Sequence, residues 1–359
     1  MTFTTQQKKL SSLIGGALGD ALGYSREFSP VGQHLKNIPG RDWRNADFDN
    51  APNAAHYQDE TGHALVSDDT QMTIATGRAL LAAENGFRIQ YTNNLAAELA
   101  RKYVAWSKHP DNTRAPGGAC MSACRKLDDD RSWETELGTW IRATDIDTMG
   151  CGANMRVAPI GLYMNPGAGS LIDIAYLSSA MTHAHPAALA SAALTTAAVT
   201  GAFDGMNGRE ILDMLLDMCE MSQFIHYPET VLGPLWELSQ FDSALSYLQA
   251  GYQRCGFYLR QADRALRNGW KGQNDPCIIT GEGWTAPEAL AGAMLCTVGL
   301  WDEPVQVLQR AAVSKGDSDS LASIAGNIRG AAGVEWPEHL VSRLEQGPVR
   351  ELHALAKAL

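Results

Sequence analysis

Two short acidic clusters carry the residues best suited to chemistry. Ser67-Asp68-Asp69-Thr70 stands ahead of an apolar-periodic stretch, residues 71–84, that reads as a helix. Asp317-Ser318-Asp319-Ser320 stands in the same way ahead of residues 321–332. Read alone, either cluster has an ordinary explanation. Acids and hydroxyls at a helix start cap free backbone N–H groups and suit the positive end of the helix dipole. Read together, about 250 residues apart, they imply more. If the two turns meet, four carboxylates and two hydroxyls share one place. Such a concentration of like charge is costly without a cation. Hard divalent cations take oxygen ligands of this kind. The pair of turns therefore predicts a two-metal site.

A third signal is Gly15-Gly16-Ala17-Leu18-Gly19-Asp20-Ala21-Leu22-Gly23, followed by Glu27. The glycine spacing is that of neither a P-loop nor a dinucleotide fingerprint, and no strand pattern precedes it. It reads as a helix of small residues packed tightly on a neighbour and ending near Tyr24. Glu27 then lies just past the helix, within reach of a cleft; a solvated surface glutamate is the plain alternative. Gly150-Cys151-Gly152-Ala153-Asn154-Met155-Arg156 ends in an apparent helix start, where backbone N–H groups can cradle a phosphate. Arg114-Ala115-Pro116-Gly117-Gly118 can do the same, and simple turn chemistry explains either stretch as well. In Thr182-His183-Ala184-His185-Pro186 the two histidines are two apart, which argues against a shared zinc. His183 is read as a polar contact and His185 as a packed or capping residue.

The elements that must position these groups are helical. Residues 172–203 form an alanine-rich apolar stretch, read as two helices broken near Pro186. Residues 209–221, 241–252, 287–300 and 304–313 also read as helices, each starting near Pro, Asp or Asn. Alternating strand patterns are scarce. The chain is expected to be one all-α domain over residues 1–359. Residues 29–66 are rich in Pro, Gly, Asn and Asp and read as a long functional loop. Residues 269–285 read as a second irregular stretch.

Composition narrows the partners. Of 359 residues, 45% are hydrophobic, enough for a large core. The net charge of −11 repels phosphate backbones and anionic lipid, so neither nucleic acid nor membrane is expected. A local basic pocket could still hold a pyrophosphate. Seven cysteines, with no Cys-x-x-Cys pair, argue against a zinc site or a disulfide framework. The first ten residues lack an apolar signal core, and no run of 18 uninterrupted apolar residues occurs. A cytoplasmic location is expected.

Taken in order, these blocks resemble the ADP-ribosylglycohydrolase family, which includes the dinitrogenase reductase-activating glycohydrolase and the ADP-ribosylarginine hydrolases. The matching blocks are Gly-Asp-Ala-Leu-Gly with its following Glu, Ser-Asp-Asp-Thr, Arg-Ala-Pro-Gly, Gly-Cys-Gly-Ala ending in Met-Arg, Met-Thr-His, and Gly-Asp-Ser-Asp-Ser. They span residues 13–334. The resemblance implies an orthogonal all-α fold with long loops around an acidic cleft holding two Mg²⁺, or Mn²⁺ in some members. It implies metal ligands Ser67, Asp68 and Asp69 from one turn, and Asp317, Asp319 and Ser320 from the other. Glu27 matches the family's flexible glutamate, and Glu27, Asp68 and Asp69 remain alternatives for managing the proton. Gly117, Gly118, Gly150, Cys151, Gly152, Met155 and His183 would hold the pyrophosphate and adenosine end. Gly283 and Trp284 would lie near the ribose, with a buried structural tryptophan as the alternative. Serines rather than threonines at the metal positions look like the arginine-directed members. The implied partner is an ADP-ribosylated protein. The alternatives are an immunity protein against an ADP-ribosylating toxin, or a hydrolase of serine or O-acetyl ester linkages.

Overall fold

The glycine-rich run does form a helix, α1 (Thr5–Tyr24), opened by a capping box between Thr4 and Gln7. The computed structural model describes residues 3–84, 91–136, 138–164 and 170–359. After α1 come α2 (Val31–Asn37), α3 (Asp68–Glu84), α4 (Tyr91–Ser107), α5 (Gly118–Asp129), α6 (Ala158–Gly161), α7 (Leu171–Ala180) and α8 (Pro186–Phe203). They are followed by α9 (Gly208–Glu220), α10 (Glu229–Leu232), α11 (Ala244–Arg267), α12 (Cys277–Thr280) and α13 (Ala286–Gly299). The chain closes with α14 (Pro304–Ala312), α15 (Ser318–Ala331), α16 (Glu338–Val341) and α17 (Gln346–Ala358). Among the described residues there is no strand, only isolated bridges such as Gly150 with Thr285. The architecture is all-α, as the periodicity predicts.

The packing of α1 on α15 sets the frame. The two helices run antiparallel, with backbones in direct contact. A Cβ on Gly19 would sit 2.1 Å from the Ala322 carbonyl oxygen, and one on Gly23 2.4 Å from the Asp319 Cα. A Cβ on Gly15 would sit 2.5 Å from the Gly326 oxygen, and one on Gly330 2.3 Å from the Ser11 oxygen. Hydroxyls close the same seam: Ser12 Oγ donates to Asn327 O at 2.7 Å and Ser11 Oγ to Val334 O at 2.9 Å. Beside this pair, α8 and α13 are apolar on nearly every side and buried along most of their length. Helix α8 is long and apolar enough to cross a bilayer, but here it is a core helix.

Several boundaries differ from the sequence reading, each for a physical reason. Helix α3 begins at Asp68, so the acidic pair lies within its first turn rather than before it. Helix α11 runs to Arg267, well past residue 252, because one apolar stripe continues through Cys255, Leu259 and Ala262. Residues 29–66 are not a plain loop. They contain α2 and four single-turn 3₁₀ helices, two of them capped by Asp42 and Asp47. Proline and glycine signal breaks in long helices but do not separate a loop from a chain of single turns. The fully buried Arg26 ties this strap to α1, donating to Leu22 O at 2.6 Å, Asp47 O at 2.7 Å and Asn50 Oδ1 at 3.0 Å.

The α1–α15 contact predicts that Gly19→Val lowers unfolding free energy by at least about 2 kcal/mol in urea titrations. A Val variant as stable as the parent would show that the two backbones can separate without penalty.

Candidate metal centre and active site

The first turn of α3 owes its shape to a carboxylate from α1. Asp20, fully buried, accepts from Ser67 N–H at 2.9 Å, from Thr70 N–H at 3.0 Å and from the Thr70 hydroxyl. Free N–H groups at the head of α3 are thus satisfied from outside. Asp68 and Asp69 are released from that duty, so ordinary capping does not account for them. Asp20 received no role from the sequence. The signal available was an ionisable residue within an otherwise small and apolar helix face.

Asp68 turns toward the neighbouring loop, where its Oδ2 accepts from Gly117 N–H at 3.1 Å. Asp69 turns toward α15. Its Oδ2 accepts from Ser320 Oγ at 3.3 Å and lies 3.5 Å from Ser67 Oγ. Its Oδ1 is buried with no hydrogen-bond partner among the described residues. On α15, Asp317 caps the helix through Oδ1, which accepts from Ser320 N–H at 3.3 Å, while its Oδ2 accepts from the Cys151 thiol at 2.7 Å. Ser318 Oγ donates to Gly23 O at 2.9 Å, fixing this turn against the end of α1. Glu27 follows α1 directly, and its Oε2 is also buried and unpartnered. Glu27, Asp317 and Asp319 each place one carboxylate oxygen within 4.8 Å of the others. The two distant turns therefore meet, and Glu27 belongs with the α15 carboxylates rather than standing apart at the rim.

The electrostatics follow from this crowding. Burial lifts Glu27 to about 9, reinforced by Asp317, Asp68 and Asp20. Burial lifts Asp68 to about 8, opposed by the Gly117 N–H. Asp69 and Asp319 rise well above the ordinary carboxylate range through burial and then through their acidic neighbours. Asp317 rises through burial, and Asp20 to about 6, held lower by its Thr70 and Ser67 donors. Among the described residues no lysine or arginine pairs with any of these six. An all-oxygen donor set with two orphaned buried oxygens fits a hard divalent cation.

The remaining predicted residues line the surroundings. Gly150 and Gly152 pass closely over His183: a Cβ on Gly150 would lie 3.2 Å from Nε2, and one on Gly152 2.9 Å from Cε1. Cys151 N–H donates to Trp284 O at 3.2 Å and Ala286 N–H to Met149 O at 2.8 Å, pinning these two loops together. Cys151 itself contacts Asp317 rather than an open phosphate cradle. Met155 is buried beneath the turn at residues 317–320, its sulfur 3.9 Å from Ser320 Oγ. Gly283 has φ +85° and lies on α15, where a Cβ would meet Leu321 Cδ1 at 2.3 Å. Gly117 and Gly118 are exposed at the head of α5. Trp284 is not a buried structural residue. It is 43% exposed and stacks on Phe28, itself 66% exposed, with ring centroids 6.5 Å apart. Phe28 went unremarked in the sequence, although it directly follows Glu27. His185 caps α8, its Nδ1 accepting from Ala187 N–H at 3.1 Å.

Fold and site together define an all-helical protein built around a buried acidic cleft at the heads of two helices. The chain belongs to the ADP-ribosylglycohydrolase family, whose profile matches residues 1–359. It is 25% identical over 344 residues to ADP-ribosylhydrolase ARH3 of Mus musculus, covering 89% of this chain and 82% of that one. It is 27% identical over 225 residues to the uncharacterized protein YegU of Escherichia coli (strain K12), a match spanning 60% of each. Among solved structures, an ADP-ribosylglycohydrolase-related protein complex shares the fold with a TM-score of 0.59 at 18% identity, covering 99% of this chain and 97% of that one.

The crowded acids also predict how stability depends on pH. Glu27 and Asp68 have folded values above their ordinary ones, so the folded state binds more protons than the unfolded one. Stability of the chelator-treated protein is then present in acid and falls as pH rises from about 4 to about 9. Thermal melts with excess EDTA should show this decline, and Mg²⁺ should flatten it. A metal-free melting temperature that rises across that window would show that the acids are compensated by something else.

Proposed function

We propose that this chain is a divalent-metal-dependent glycohydrolase, one domain over residues 1–359, that cleaves the N-glycosidic bond joining ADP-ribose to a modified arginine. The observation that carries the reading is the pair of buried, unpartnered oxygens, Asp69 Oδ1 and Glu27 Oε2, in one pocket with Asp68, Asp317 and Asp319. Ser67, Asp68, Asp69, Asp317, Asp319 and Ser320 are the residues that would hold two Mg²⁺ or Mn²⁺. Bound there, such a pair would neutralise the acids, engage ribose hydroxyls and lower the pKa of a water.

The chain's own groups divide the rest of the work. Cleavage of an N-riboside builds positive charge at the anomeric carbon, and a wall of carboxylates stabilises it. Asp68 is engaged by Gly117, and Asp69 keeps one free oxygen while its other is engaged by Ser320, whereas neither Glu27 oxygen accepts a hydrogen bond among the described residues and Glu27 lies on a segment just past a helix. Glu27 is therefore the residue assigned to move the proton. The Gly117–Gly118 and Gly150–Gly152 loops and His183 hold the pyrophosphate and adenosine end, while Met155, buried against Ser320, supports that wall from behind. Gly283 sets the loop near the ribose, and Trp284 with Phe28 forms its aromatic edge.

The arginine linkage is supported by the serines at positions 67 and 320, which resemble those of the arginine-directed members. The test is release of ADP-ribose from arginine-modified protein, beside serine-linked ADP-ribose and O-acetyl-ADP-ribose. Turnover of the arginine substrate is expected, abolished by chelation and restored by Mg²⁺ or Mn²⁺. Asp69→Ala and Asp319→Ala should each reduce it by at least about 100-fold. Turnover of the ester alone, or activity that survives complete chelation, overturns the reading. Protection of cells from an ADP-ribosylating toxin by an Asp68→Ala/Asp319→Ala protein would assign a binding role instead.

A further inference from the structure

Behind the Gly150–Gly152 loop lies a buried polar chain that the metal chemistry does not use. Arg156 is fully buried, and no carboxylate pairs with it among the described residues. Its guanidinium packs over the Tyr103 ring, 4.5 Å from the centroid, and donates through Nη2 to Ser178 O at 2.5 Å and to Thr182 Oγ1 at 2.8 Å. The Thr182 hydroxyl lies 2.7 Å from His183 Nδ1. The His183 backbone is clamped on both sides by Ser179, whose oxygen accepts from His183 N–H at 2.7 Å and whose hydroxyl donates to His183 O at 2.9 Å. The ring itself is buried, and its Nε2 edge lies beneath Gly150 and Gly152.

Donor and acceptor rules give this chain a direction. Arginine only donates, so Thr182 Oγ1 accepts from Arg156. The hydroxyl keeps one hydrogen of its own. Its strongest acceptor at hand is the His183 Nδ1 lone pair; the sulfur of Cys120, also near Thr182, is a weak acceptor. The buried guanidinium charge favours the same arrangement, since it attracts the lone-pair end of the imidazole dipole and repels the N–H end. Burial, and then Arg156, also holds the His183 pKa down to about 3, so the ring is neutral and one tautomer must be chosen.

We propose that Arg156 and Thr182 are positioning residues that lock His183 in the Nε2–H tautomer, so that it presents an N–H donor to an anionic oxygen of the ligand seated on the Gly150–Gly152 loop. The ligand half of this inference rests on the function proposed above; the tautomer half does not. With the opposite tautomer, Nε2 would offer a bare lone pair to a phosphate oxygen, and the contact would be repulsive. Glycine at 150 and 152 is then required for the approach itself, because a Cβ at either position would fill the space against the ring.

The test uses the full-length protein with ¹⁵N-labelled histidine and long-range ¹H–¹⁵N correlation at neutral pH without ligand. His183 should show a protonated Nε2 and an unprotonated Nδ1. Thr182→Val should mix or reverse the tautomers and weaken ADP-ribose binding by about tenfold, the loss expected for one hydrogen bond to a charged group. KM for the arginine-linked substrate should rise with it while kcat stays within about threefold. Thr182→Ser, which keeps the hydroxyl, should restore both the tautomer and the affinity; a purely structural role for the methyl group would not show this rescue. A protonated Nδ1 in the unmodified protein overturns the lock, and this measurement needs no variant to fold. So does a Val variant that keeps both tautomer and affinity. Failure of the unmodified protein to bind ADP-ribose removes the ligand half and the proposed function with it, while the tautomer is still read directly.

Discussion

The structure depends on two helices touching backbone to backbone. Helices α1 and α15 meet along Gly15, Gly19, Gly23, Gly326 and Gly330, where side chains would force them apart. This contact carries the ends of the helices with it. Because the pair is antiparallel, the C-terminal end of α1 lies at the N-terminal head of α15. Asp20 and Glu27 are thereby delivered beside Asp317 and Asp319. Asp20 then captures the head of α3, and Asp68 and Asp69 arrive by the same step. One steric fact, the absence of Cβ atoms along a seam, assembles acids from three segments far apart in the chain.

That assembly stores electrostatic tension. Six carboxylates are crowded where burial is hostile to charge, and among the described residues two of their buried oxygens, on Glu27 and Asp69, find no donor. The surrounding fold tolerates this because it is tied down elsewhere. Arg26 fastens the 29–66 strap to α1, and Arg343 pairs with Asp49 at 2.7 Å across the strap's outer side. Hydroxyls from Ser11, Ser12 and Ser318 stitch α1 to the segment that starts at α15. The rigid frame keeps the acids together, and their crowding is what suits the cluster to a hard cation.

Much of this is legible in the sequence. The two acid–hydroxyl turns were visible as helix openings, and both are. The break at Pro186 falls where the sequence placed it. The glycine run was visible as a packing helix rather than a phosphate loop, and the α15 seam bears that out. Other features were hidden because their signals are not local. The capping role of Asp20 depends on N–H groups about 50 residues away. The turns inside residues 29–66 are too short to leave a period. The Phe28–Trp284 stack joins two loops that share no pattern.

By itself, the chain determined helix-forming periods, the small-residue face of α1, the residue types that suit a hard cation and membership of the ADP-ribosylglycohydrolase family. Those are properties of spacing and composition, which survive without folding. Tertiary structure alone decided which carboxylates are spent on capping and which are left free, that Glu27 joins the α15 acids, and that His183 Nδ1 faces the Thr182 hydroxyl. These are decided by partners brought in from distant segments, since a hydrogen bond or a buried charge has its meaning only once its neighbours are in place.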